Sequence, residues 1–171
     1  MTIEATLDAD ARTAAAWAVL QGVLDPEVPA LSLTDLGIVR AVKASEDGID
    51  VVLTPTYSGC PATEVIEQSV IGALNAAGLG PVRVSLQRAP AWTTEWMSDE
   101  GRRKLREYGI APPGAVDLSH GVPLRFVSRR VACPRCASPQ TEQLSAFGAT
   151  ACKSLWRCLA CRDPFEYFKP I

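Results

Sequence analysis

Two CxxC pairs constrain this chain more than any other feature of its sequence. Cys133-Pro134-Arg135-Cys136 and Cys158-Leu159-Ala160-Cys161 are separated by 21 residues. In a CxxC knuckle two thiolates turn towards one ion, and two knuckles supply the four sulfurs of a tetrahedral site. The intervening segment, Ala137 to Arg157, can hold a β-hairpin that returns the second knuckle to the first. Cys133, Cys136, Cys158 and Cys161 are therefore read as the ligands of one structural Zn2+. A rubredoxin-like iron site uses the same ligand set, and spacing does not exclude it. Four saturated ligands leave no open position, so this site is expected to hold structure together and do no chemistry. Phe165, Tyr167 and Phe168 are expected to cover one side of a module too small for much core of its own. Cys152, six residues before Cys158, is either a fifth thiol packed in the ribbon or one that exchanges into the site.

The rest of the chain is ordinary in composition. Its 171 residues leave room for a domain of about 100 residues besides the cysteine module. At 47% hydrophobic residues, a core is feasible. Met1 to Asp10 carries Glu4, Asp8 and Asp10 and no basic segment ahead of an apolar run, so no signal peptide is expected. No apolar stretch approaches the roughly 20 residues of a membrane span. A cytoplasmic protein is expected, where reducing conditions favour metal ligation over disulfides. Charge is uneven. Residues 1–100 hold 5 Lys/Arg against 14 Asp/Glu, and residues 101–171 hold 12 against 5. Either the two parts, or the thiolates of the metal site, neutralise this excess, or the C-terminal part offers a basic face to an acidic protein. Nucleic acid is disfavoured, because the basic residues are scattered and no aromatics are interleaved with them.

Along the N-terminal part, residues 11–24 read as a helix, with Ala14, Trp17, Leu20 and Leu24 at helical spacing. Asp25-Pro26 ends it, and a polar loop follows to Gly37. Ile38 to Ala44 and Ile49 to Thr54 read as strands around a Glu46-Asp47-Gly48 turn, with Ile49, Val51 and Leu53 on one face. Residues 62–77 form an amphipathic helix whose apolar stripe is Val65, Ile66, Ser69, Val70, Ala73, Leu74 and Ala77, capped by Gly78. Val82, Val84 and Leu86 alternate in a third strand. The fold class is α+β: a compact two-layer α-β-β-α-β domain over residues 1–90, a helix and linker over 91–121, and a small β zinc ribbon over 122–171. Within the middle segment, Asp99 to Tyr108 reads as a charged helix with Leu105 and Tyr108 facing inward, and 111–115 as linker.

One thiol stands apart from the ribbon. Thr54-Pro55-Thr56-Tyr57-Ser58-Gly59-Cys60-Pro61 runs from a strand end into the amphipathic helix. Pro61 suits a first helical position, which puts Cys60 at the N-cap, where free backbone N–H groups and the helix dipole favour a thiolate. A small buried apolar residue is an equal reading of a single cysteine. Ser58 and Gly59 let the backbone expose it. Asp35, on the other polar loop, either faces this turn or is an ordinary turn or surface aspartate. His120, the lone histidine, is expected to be solvated in the linker. No phosphate-binding loop, dinucleotide fingerprint or paired carboxylates are present.

Asp25-Pro26-Glu27-Val28-Pro29, Ser32-Leu33-Thr34-Asp35-Leu36-Gly37-Ile38-Val39 and Thr54 to Pro61 together resemble the iron–sulfur assembly domain family that includes SufT. With the cysteine ribbon and its Phe147-Gly148-Ala149-Thr150-Ala151-Cys152-Lys153 segment, nearly the whole chain resembles the PaaD family. That resemblance implies an accessory protein of the phenylacetyl-CoA epoxidase in phenylacetate catabolism. It implies partnership with the epoxidase subunits, foremost the iron–sulfur flavoprotein reductase, and admits a homodimer. It makes Cys60, Asp35, Thr54 and Thr56 the candidate functional residues, with Cys60 touching a transient iron–sulfur cluster. Three roles follow. The chain is a maturation factor that assists cluster assembly, a docking component of the oxygenase with no chemistry of its own, or a thiol-based transferase, which lacks an evident partner base. One departure from many zinc knuckles is Ala137 after Cys136, where glycine is common.

Overall fold

The computed structural model describes residues 8–57, 59–114 and 131–170. Ser58, His120 and the strand pieces expected immediately after Val122 lie outside the described residues. The architecture is mixed α+β, and the chain divides into two compact units between Trp92 and Thr93. Among the described residues, no helix is long and apolar enough to cross a membrane.

In the first unit, α1 (Ala9–Leu20) starts at Asp8, whose carboxylate accepts the Ala11 N–H at 2.7 Å. The helix stops before the expected Leu24. Leu24 forms an antiparallel bridge with Ser32, flanked by Asp25 N–H to Leu31 and Leu33 N–H to Val23 hydrogen bonds, and these take the backbone groups a longer helix would need. Leu24 is consequently 52% exposed, and the buried face of α1 is Ala16 and Leu20.

The polar loop after α1 carries core. Asp25 Oδ1 accepts the backbone N–H groups of Glu27 (2.9 Å) and Val28 (2.7 Å), folding the chain back at Pro26. That turn drives Val28, Leu31, Leu33 and Leu36 inward, each at most 1% exposed. Trp92 closes over them and donates its indole N–H to the Leu36 carbonyl at 2.9 Å.

β1 (Val39–Ser45) and β2 (Gly48–Leu53) form the expected hairpin, with Ile49, Val51 and Leu53 buried on one face. α2 (Thr63–Ala76) then carries the chain to β3 (Val82–Leu86), which lies parallel to β2, so β2 is the central strand. Gly48 has φ +140°, and a Cβ there would stand 2.2 Å from the Pro81 carbonyl oxygen, so glycine lets β3 approach. α2 ends in a Schellman motif: Gly78 at φ +72° donates to Asn75, and Leu79 donates to Leu74. The buried stripe of α2 is Ile66, Val70 and Leu74; Val65 and Ala77 face solvent. Across the outer face of the sheet Arg83 pairs with Asp50 at 2.7 Å, which holds the Asp50 carboxyl below its usual range.

In the second unit, Ser98 caps α3 (Asp99–Tyr108), and Gly109 ends it in a left-handed conformation. Leu105 is buried as expected, whereas Tyr108 is 56% exposed. The next two residues are strand, not linker. β4 (Ile110–Ala111) pairs in parallel with β7 (Pro164–Phe168), and Ala111 is 2% exposed. β5 (Thr141–Ser145) and β6 (Lys153–Cys158) complete a sheet in the order β4-β7-β6-β5. α3 and β4, expected between two domains, thus sit in the same unit as the cysteine knuckles. The ribbon core is Ala111, Val131, Cys133, Trp156, Cys158, Phe165 and Tyr167, with Trp156 and Tyr167 rings edge to face at 6.0 Å.

Candidate metal centre and thiol loop

Cys133 and Cys136 lie on the turn before β5; Cys158 ends β6 and Cys161 lies on the turn into β7. The two turns have the same build. The N–H of the first cysteine donates to the carbonyl five residues on, Cys133 to Ser138 and Cys158 to Asp163, both at 3.0 Å. The residue after the second cysteine is left-handed in each, Ala137 at φ 58° and Arg162 at φ 67°. Glycine adopts this conformation without strain, so Ala137 keeps the glycine-type turn in spite of its Cβ.

These paired turns bring all four Sγ atoms within 4.8 Å of one another, with Cys133–Cys161 at 3.8 Å and Cys136–Cys158 at 3.6 Å. Sulfurs placed about 2.3 Å from a tetrahedral ion stand about 3.8 Å apart. The arrangement fits one four-coordinate metal, and this is the one such cluster among the described residues. Cys133 and Cys158 are buried beneath the ribbon; Cys136 and Cys161 face solvent. Arg135 and Asp163, one from each turn, pair at 3.5 Å on the outside.

Backbone N–H groups, burial and neighbouring thiols shift Cys136, Cys158 and Cys161 in different directions. The Cys161 backbone N–H first, then that of Ala160 and the neighbouring thiols, pull Cys158 down to about 6. The Asp163 backbone acts to lower Cys161, but desolvation and the three surrounding thiols outweigh it and push Cys161 up to about 12. Cys136 is also raised: the Ser138 backbone acts to lower it, and the Cys158 thiol and desolvation prevail. The four sulfurs would hold a divalent ion as thiolates, and that ligation would relieve the conflict.

Cys152 belongs to neither knuckle. It immediately precedes β6 while Cys158 ends it, so along an extended strand the two stand about 20 Å apart. Cys152 is buried at 3% exposure beside Thr150 Oγ1 (3.0 Å), a packed fifth thiol and not an exchanging ligand. The basic excess of this half is partly neutralised within it. Arg103 pairs with Glu100 and Glu107, Arg157 with Glu142, Lys153 with Glu166, and Arg102 donates to the carbonyls of Thr94 and Pro113.

In the first unit, Cys60 is half-buried, after Gly59, whose φ is +87°. It is not the N-cap of α2. Pro61 and Ala62 form a further turn, the N-cap is Ala62, and the Cys60 carbonyl accepts the Thr63 N–H (3.2 Å) and hydroxyl (2.8 Å). Proline at a first helical position and proline two residues earlier look alike in sequence. Pro61, Glu64, Val65, Gln68 and Ser69 line an open groove of about 490 Å³ beside this turn.

Thr54 and Thr56 occupy the same loop and are both buried. The Thr54 hydroxyl has no hydrogen-bond partner among the described residues, while its N–H donates to Ile38 at 2.8 Å and joins this loop to the one holding Asp35. Asp35 is 8% exposed; Ser32 N–H donates to its Oδ2 at 3.2 Å and its own N–H donates to Ser32 Oγ at 3.0 Å. Asp35 thus builds its loop reciprocally with Ser32. The Ser-x-x-Asp spacing is the readable sign of that pairing, and reading Asp35 by itself overlooks Ser32.

Residues 119–169 match the family model described as PaaD zinc beta ribbon domain, and residues 13–86 match that described as iron-sulfur cluster assembly protein. The chain is 50% identical over 155 residues to an Escherichia coli (strain K12) protein provisionally named as one of the subunits of 1,2-phenylacetyl-CoA epoxidase, covering 91% of each. It is 33% identical over 89 residues to a Porphyromonas gingivalis Fe-S protein maturation auxiliary factor, covering 51% of this chain and 84% of that one. A Bacillus anthracis domain of unknown function, DUF59, shares 29% identity at a TM-score of 0.53, covering 57% of this chain and 93% of that domain.

Proposed function

This chain belongs to the PaaD family of phenylacetyl-CoA epoxidase proteins, and on that premise we propose that it is a cytoplasmic maturation protein serving the epoxidase. It assists assembly or delivery of an iron–sulfur cluster into an oxygenase component, foremost the iron–sulfur flavoprotein reductase. The observation that carries this reading is the loop from Thr54 to Cys60. It keeps a half-exposed thiol on a fold whose other cysteines are packed or convergent, and in the same loop a buried Thr54 hydroxyl that has no partner among the described residues.

The division of labour follows from the two kinds of cysteine. Cys133, Cys136, Cys158 and Cys161 hold Zn2+, which ties the knuckles together and supplies no reactive position. Cys60 contacts the cluster as cargo. One cysteine cannot hold a common cluster, which takes four ligands, so the remaining ligands come from the client or a second copy, and transfer completes as the client's thiolates replace Cys60. Asp35 and Ser32 keep the neighbouring loop closed, and Thr54 and Thr56 line the turn.

The test is expression of the reductase with the wild-type chain, with Cys60→Ser, and alone, followed by iron and acid-labile sulfide analysis. The expected result is full cluster content only with wild type. Equal content in all three removes the maturation role.

A further inference from the structure

The maturation reading leaves the Phe147 to Lys153 segment without a task, yet the fold commits several contacts to it. Phe147 is 64% exposed, the most exposed of the large apolar residues among the described residues. The loop beneath it is pinned. Ser145 Oγ accepts the Phe147 N–H at 3.2 Å, and Gly148 N–H donates to the Lys153 carbonyl at 2.8 Å. Glu166 reaches across from β7, accepting the Ala149 N–H at 2.7 Å and pairing with Lys153 Nζ at 2.8 Å. The Lys153 side chain is 4% exposed, so this pair is shielded from water. A Cβ on Gly148 would stand 2.5 Å from Glu166 Oε1, so glycine lets that carboxylate sit here without shifting aside.

The ring is also dressed with charge. Lys169 Nζ lies 4.5 Å from the Phe147 centroid and 3.4 Å from the Ala146 carbonyl. Among the described residues no carboxylate pairs with Lys169, unlike Lys153, Arg103 and Arg157. Three residues before Phe147, the β5–β6 register slips between Gln143 and Ser145, and the bulged residue, Leu144, is 49% exposed. A bulge of this kind re-aims a side chain and blunts an outer strand against edge pairing. Leu144 is therefore offered as a side chain while β5 is withheld as a strand template.

An exposed aromatic on a rigid loop binds with little loss of conformational freedom. We propose that Phe147, Leu144 and Lys169 form a docking surface for an acidic protein partner, one offering an apolar recess edged by a carboxylate that takes the Lys169 ammonium. Charge complementarity favours this occupant over a second copy meeting it through the same face, since residues 101–171 hold 12 Lys/Arg against 5 Asp/Glu and two copies of one basic face repel. The inference rests on the association with epoxidase subunits proposed above and names the face that makes it.

The experiment is retention of co-expressed epoxidase subunits on the tagged full chain, as wild type, Phe147→Ser and Lys169→Glu. Metal content and circular dichroism verify that each variant folds. The expected result is at least tenfold lower retention by both variants at wild-type metal content, and weaker wild-type retention as salt rises. Wild-type retention by both folded variants overturns the surface while leaving the partnership intact. No retention by wild type removes the partnership and the surface with it. A wild-type dimer that Phe147→Ser converts to monomer gives the face to a second copy and overturns the acidic partner.

Discussion

Cys136 Sγ and Cys158 Sγ, 22 positions apart in the chain, lie 3.6 Å from each other. That is near the edge of a tetrahedral thiolate site, about 3.8 Å. The two belong to different knuckles, so an ion between them closes the ribbon as a cross-link does. Apparent binding free energies of structural zinc reach about 10–16 kcal/mol and act as folding free energy. Purified protein is expected to hold one zinc per chain by elemental analysis. Cys158→Ser is expected to lose that metal and the ribbon's cooperative melting, whereas Cys60→Ser retains both. Equal zinc in wild type and Cys158→Ser rejects the ligand set.

Metal affinity rises with pH. Without metal, Cys136 and Cys161 are held above the usual thiol value, Cys161 at about 12, so both carry protons at pH 7. Binding expels those protons, so acid opposes it and base favours it. Each proton released changes the affinity about tenfold per pH unit near neutrality, so these two alone set a slope of at least about a hundredfold. Competition with a chromophoric chelator between pH 6 and 8 measures the slope, and a flat profile contradicts the assignment.

The Thr54 hydroxyl is buried at 1% exposure without a partner among the described residues. An unsatisfied buried hydroxyl costs about 1–3 kcal/mol, and valine has nearly the same shape. Thr54→Val is therefore expected to raise the thermal midpoint of the first unit, by about 1 kcal/mol in stability. If the hydroxyl serves the Cys60 loop, the same variant delivers less cluster to the client. A more stable variant with unchanged delivery leaves Thr54 with no role in the site.

Ala137 and Arg162 hold left-handed backbone at φ 58° and 67°. That conformation costs a residue with a Cβ about 1–2 kcal/mol, against a smaller entropic loss for glycine. Ala137→Gly and Arg162→Gly are each expected to stabilise the ribbon by about 0.5–1 kcal/mol, read by chelator-induced unfolding. Ala137→Val is expected to act in the opposite direction.

Local spacing sufficed for the convergence of the four ribbon cysteines, the β1–β2 hairpin, the buried Ile49, Val51 and Leu53 face and the Gly78 helix end. In each case the physical cause lies within a few residues: a strand alternates, a glycine tolerates positive φ, a knuckle turns two sulfurs the same way. The end of α1 escaped such reading because Leu24 is claimed by Ser32 across a loop, and the depth of Val28, Leu31, Leu33 and Leu36 is set by the Asp25 turn. Cys60 was displaced from the cap by one further turn, which sequence does not distinguish from a helix beginning at Pro61.

By itself, then, the chain's sequence determined what depends on neighbours in the chain: two CxxC knuckles and the periodic elements around them. Tertiary structure alone decided which distant groups meet. It placed β4 against β7, put Cys152 at the opposite end of β6 from Cys158, paired Lys153 with Glu166 beneath Phe147 and left the Thr54 hydroxyl without a partner among the described residues. Such pairings depend on strand register and on burial against segments far away in the chain, and no residue's own conformational preference carries that information.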